Sequence, residues 1–171
     1  MKRILFILLF LLMALNSYPQ EVGFMGINIG MSRDEVLSFA DAHDLLHVPK
    51  NRDVEFFPVE DRKILALSIE PEVPHMYLQF YNDKLYAITV IFNEHYMDYF
   101  TLIDTLARKY GEITELTPRW RKWLVGEVEI KVEKPAVVKY IALKEFLEVT
   151  DFKGQSKENG RERRKTLLEG L

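Results

Sequence analysis

Few residues in this chain have the types and spacing that chemistry needs. His43 and His47 stand four apart, with Asp41 and Asp44 beside them. Two imidazoles at that spacing on one helix face can ligate zinc. No Glu follows the first His, so the His-Glu-x-x-His pattern of zinc proteases is absent. A polar helix end with well-placed His explains the pair more simply, and no metal is expected. Glu70 and Glu72 are interleaved with Pro71 and Pro74, which makes them a solvated bend rather than an acid–base pair held in two different environments. Ser17, Ser32, Ser38, Ser68 and Ser156 lie in no Gly-x-Ser-x-Gly elbow, and Gly23, Gly26 and Gly30 lack phosphate-loop and dinucleotide spacing. There is no Cys, which removes thiol catalysis, thiolate metal sites and disulfides. The chain reads as non-enzymatic, with no cofactor. The alternative reading is a periplasmic enzyme or metal-binding protein that uses His43 and His47.

Aromatic side chains give the stronger signal. Strand alternation puts His75, Tyr77, Gln79 and Tyr81 on one side and Met76, Leu78 and Phe80 on the other. The apolar set should face the core. The tyrosines, joined by Tyr86 from the next strand, would then form an open row. Tyrosine offers a large contact area at low entropic cost, which suits binding; strand propensity and cross-strand pairing also favour it in sheets. Arg119-Trp120-Arg121-Lys122-Trp123 is the most basic and aromatic pentapeptide. In a strand its two Trp residues face opposite ways, one into the core and one among cations. The expected binding residues are Tyr77, Tyr81, Tyr86, Trp123 and Arg121.

The elements that position these residues are legible in outline. Ser32 and Glu35 form a capping box, with Met31 and Val36 as a hydrophobic staple. The helix they open should run from Arg33 to Asp44, with Val36, Leu37, Ala40 and His43 on one face. Strands are expected at Val54 to Phe57, Lys63 to Ile69, Met76 to Tyr81 and Leu85 to Phe92, with Asn82-Asp83-Lys84 as a hairpin turn. A second helix should span Tyr96 to Tyr110 and stop at Gly111. Arg119 to Val125, Glu127 to Glu133 and Ala136 to Leu143 read as further strands, and Phe146 to Val149 as a closing segment. The order is helix, three strands, helix, three strands. Short connections imply antiparallel neighbours. The expected fold class is α+β: an antiparallel β-sheet with two helices on one face, built as tandem α-β-β-β units.

Composition and the two ends bound the setting. The 171 residues are 48% hydrophobic with net charge −3, which excludes a disordered chain. Lys2 and Arg3 precede an apolar run from Ile4 to Leu15, too short to span a bilayer and shaped like a secretory signal peptide. Residues 1–20 are therefore expected to be a signal peptide, 21–152 a single domain and 153–171 a flexible basic tail. The tail holds six basic residues (Lys153, Lys157, Arg161, Arg163, Arg164, Lys165) against Glu158, Glu162 and Glu169, leaving residues 18–152 at −8. So acidic a body disfavours nucleic acid, while the tail suits peripheral contact with an anionic membrane surface. The short signal implies a bacterial protein that is periplasmic or secreted.

The stretch Gly26-Ile27-Asn28-Ile29-Gly30-Met31-Ser32-Arg33-Asp34-Glu35-Val36 resembles the opening of the small-protein-A/BamE-like envelope proteins. Their repeat has a strand-like lead, a Gly-Met-Ser/Thr turn and a helix beginning x-x-Glu/Gln-Val. The beta-lactamase-inhibitor-protein fold is similar in architecture. Phe80-Tyr81-Asn82-Asp83-Lys84-Leu85 resembles their Phe-x-Asp-Gly-Lys-Leu hairpin, with Asp83 where Gly is common. Two features depart from the pattern: there is no Cys to carry a lipid, and there are six main strands rather than three. The resemblance implies a non-catalytic binding or scaffold module of the bacterial envelope, engaging a protein partner through a sheet face or edge. It supplies no catalytic residue.

Overall fold

In the computed structural model, residues 21–49 and 62–150 are described. The expected signal peptide, the strand at Val54 to Phe57 and the basic tail lie outside them. The described chain opens with a small hairpin, β1 (Gly23–Phe24) and β2 (Ile27–Asn28). Its turn takes positive φ at Met25 and Gly26. Gly23 permits the close pairing: a Cβ there would sit 2.0 Å from the Ile27 carbonyl oxygen. Residues 30 and 31 then bond to the start of a later strand, through Gly30 N–H to Leu85 O and Leu85 N–H to Met31 O.

Helix α1 (Arg33–Asp41) begins with the capping box in full. The Ser32 hydroxyl accepts from Glu35 N–H, and a Glu35 carboxylate oxygen accepts from Ser32 N–H at 2.8 Å. Val36 and Ala40 are its buried face. The helix ends three residues earlier than the apolar spacing suggested. Beyond it, His47 pairs with Ser68 in an isolated antiparallel bridge, and this tertiary pairing overrides local helical preference.

Three strands follow as a meander: β3 (Arg62–Ile69), β4 (Val73–Tyr81) and β5 (Lys84–Ile91). The β4–β5 turn is two residues, with positive φ at both Asn82 and Asp83, the geometry that matches strand twist. Strand β4 begins at Val73, ahead of the expected start at Met76, and so includes Pro74. The register shifts between Leu67 and Ile69 opposite this stretch, so Pro74 sits at an irregularity and owes no ladder bond.

Helix α2 (Tyr99–Tyr110) is capped by Asp98, whose carboxylate accepts from Phe100 and Thr101 N–H, and it stops at Gly111 with φ 83°. It therefore starts three residues later than Tyr96. A short β6 (Glu115–Leu116) precedes the second meander, β7 (Trp120–Val125), β8 (Val128–Glu133) and β9 (Val137–Ala142). Residues 143–150 are helical (α3), which gives the expected closing segment its form; Ala142 at the end of β9 and Val149 in this helix share one buried cluster.

The main sheet has the order β3-β4-β5-β9-β8-β7-β6, with every neighbour antiparallel. The last strands of the two meanders, β5 and β9, meet at its centre. Two α-β-β-β units thus join strand to strand. One core cluster takes Val36 and Ala40 from α1, Tyr99, Leu102 and Leu106 from α2, and the inward residues of both meanders. Both helices lie on the same face of the sheet. The fold is α+β.

Candidate functional site: the open face of the sheet

The antiparallel registers bring the outward side chains into rows that cross the sheet. One row reads Ala66, Tyr77, Thr89, Lys139, Lys131, Lys122, Glu115. A second reads Ile64, Gln79, Ala87, Ile141, Glu129, Leu124. A third reads His75, Ile91, Val137, Glu133, Trp120. The two halves of this face differ in kind.

The second-meander half is a lattice of ion pairs. Three lysines stand side by side, which would be repulsive without counter-charges. Lys122 meets Glu115 at 2.8 Å and Glu129 at 3.2 Å; Lys131 and Lys139 meet Glu133 at 2.8 and 2.6 Å. The Glu115 hydrogen bond is the main cause that raises the Lys122 pKa. Burial raises the Glu133 carboxyl, but Lys131 and Lys139 together outweigh it, and its pKa lies below the usual value. Lys122 and Lys131 also stand 5.5 and 5.0 Å from the centre of the Trp120 ring, within cation–π range. The charges on this half are already used by one another.

The first-meander half carries no formal charge across Ile64, Ala66, Tyr77, Gln79, Thr89 and Ile91. Every one of these is half-buried, whereas Ala87 in the same outward rows is buried in a cluster with Val149 of α3. His75 stacks on Tyr77, with ring centres 6.1 Å apart and planes 16° apart. Gln79 is held by the Tyr86 hydroxyl, which donates to its Oε1 at 3.0 Å. Tyr81 packs at the margin against the cluster of Tyr86, Ala87, Ala142 and Val149.

Three of the five expected binding residues are placed differently. Tyr86 is 5% exposed. A bulge pairs Gln79 with Ala87 but Phe80 with Leu85, which makes Tyr86 the extra residue; it buttresses the face rather than presenting a free ring. Trp123 is 1% exposed. Its indole N–H donates to the Gly111 carbonyl at 3.0 Å and ties the end of α2 to the sheet, so it cannot be a surface anchor. Trp120 is the member of the pair on the open face. The two-residue turn at Gly126 and Glu127 was the available signal: it sets Val125 opposite Val128, hence Trp123 opposite Ile130. Arg121 shares the core-facing parity of Trp123, and its guanidinium donates to the carbonyls of Thr117 and Trp120. It braces the β6–β7 connection. Tyr77 and Tyr81 remain on the open face, and reading β4 alone missed their neighbours Ile64, Ala66, Thr89 and Ile91.

The histidine pair does not form the arrangement that zinc ligation would need. With α1 ending at Asp41, both residues lie beyond it: His43 packs on Phe39 with ring centres 5.5 Å apart, and the His47 backbone is bound to β3. Among the described residues no group of three or more His, Asp or Glu is close enough to hold a metal ion, and no helix is long and apolar enough to cross a membrane.

The family model of the TP0088 domain matches residues 22–151. No curated protein and no solved structure matches the chain.

Proposed function

This chain belongs to the TP0088 domain family, and we propose that it is an exported, non-catalytic binding or scaffold protein of the bacterial envelope. It engages a protein partner through the open sheet face of its first meander, centred on Tyr77. The observation that carries this reading is the division of the face: an uncharged surface around Tyr77, bounded by Tyr81, beside a second half whose lysines and glutamates already neutralise one another. An uncharged face with aromatic and aliphatic side chains can be covered by a partner without stranding a charge. The basic n-region and short apolar run at residues 1–20 support export, as does the Gly-Met-Ser-x-x-Glu-Val opening shared with envelope proteins.

Cell fractionation combined with chemical crosslinking in the native cell tests both parts. The chain should appear in the periplasmic or external fraction and give one reproducible protein adduct. Tyr77→Ala should weaken that adduct about tenfold, the scale of a central aromatic anchor. A cytoplasmic location, or an adduct untouched by Tyr77→Ala, overturns the proposal.

A further inference from the structure

The ladder between β5 and β9 ends at Ala87 and Ile141. Beyond that point the two strands part. The backbone of Leu85 bonds instead to the chain ahead of α1, at Gly30 and Met31. Strand β9 stays with β8, where Ala142 pairs with Val128, and the Leu143 N–H donates to the Glu127 carbonyl as the chain turns into α3. Between these two pairings a cleft of about 180 Å³ opens. Ile29, Leu85, Val128 and Ala142 give it apolar walls. Three charged side chains also line it: Lys84, Glu127 and Glu145. Unlike the lysines and glutamates of the open face, none of these three is in an ion pair or a side-chain hydrogen bond among the described residues.

We propose that this cleft binds an apolar α-amino acid. Its volume suits one side chain, since an apolar cavity of about 150 Å³ takes benzene. Its charges suit the other end of the same molecule. An ammonium group has three donors and no acceptor, so the ligand's ammonium can bond both Glu127 and Glu145, while its carboxylate meets Lys84. These are charge-assisted bonds, the stronger kind. A plain hydrocarbon would leave all three charges without partners. A fatty acid would meet Lys84 but face two like charges, and a simple amine would meet the glutamates but face Lys84. The zwitterion gives each group a partner. The cleft shares no residue with the Tyr77 surface, so either reading can fail without the other.

An NMR titration of the isotope-labelled full chain with L-phenylalanine tests this. Saturable shifts should gather at the residues that line the cleft. Phenylpropanoate lacks the ammonium and phenylethylamine lacks the carboxylate, so each should bind about tenfold more weakly than phenylalanine. The double variant Glu127→Gln, Glu145→Gln should weaken phenylalanine by about the same factor. Lys84→Gln should remove the preference for phenylalanine over phenylethylamine. Tm should stay unchanged in both variants, because Lys84 and Glu127 are exposed and Glu145 is half-buried. Equal binding of the three probes overturns the proposal, as does phenylalanine binding that neither variant alters. Absence of saturable shifts at the cleft in millimolar phenylalanine overturns it as well.

Discussion

At the residue scale, two aromatics that look alike in sequence have opposite jobs. Trp123 fills the core and bonds to the Gly111 carbonyl. Trp123→Ala should cost about 3–5 kcal/mol, because a large cavity opens beneath α2. Tyr77 is half-buried on the open face against His75. Tyr77→Ala should cost under about 1 kcal/mol of stability while weakening partner binding about tenfold. Urea unfolding of the two variants checks the contrast, and equal losses would contradict it. Tyr77 was legible because its strand alternates cleanly. Trp123 was not, because β7 carries polar and apolar residues on both sides and only its partner strand β8 discloses which side is inside.

At the element scale, the helix starts contribute to the pH response. Bonds from the Ser32 backbone and hydroxyl hold the Glu35 carboxyl below its ordinary value, and Thr101 does the same for Asp98 through its hydroxyl and its N–H. A carboxylate with a depressed folded-state pKa contributes stability above its unfolded value, near 4, and loses it as pH falls through the folded value. Stability should therefore be flat above about pH 5 and decline below it. Glu35→Gln and Asp98→Asn should each flatten that decline, as followed by Tm against pH; an unchanged slope would contradict the role given to the caps. Ser32→Ala should cost about 1 kcal/mol, measured by urea unfolding. The capping box was the most readable element because its signal is local. Helix α3 and the run of β4 past Pro74 were not, since each depends on packing with residues far away in sequence.

At the scale of the whole described fold, two α-β-β-β units join at β5 and β9, with the β1–β2 hairpin, β6 and α3 added to them. The alternation of α1, the first meander, α2 and the second meander was readable from the sequence, whereas β6 and the helical form of α3 were not; the pairing of β5 with β9 had no local signal, because some fifty residues separate them. That pairing sets the uncharged stretch around Tyr77 beside an ion-paired half. Glu133 bonds two of the three adjacent lysines. Glu133→Gln should lower Tm, and the loss should shrink with added salt, which screens the exposed lysine repulsion; a salt-independent loss would point to packing instead.

The most direct test of the central claim maps the partner onto this face. Photo-crosslinking side chains placed in turn at positions 66, 77, 89 and 91, and as controls at 34, 104 and 131, should be activated in the native cell. The account expects one and the same protein adduct from the first four positions and none from the controls. Adducts of equal strength at the control positions, or none from the uncharged half, would contradict it.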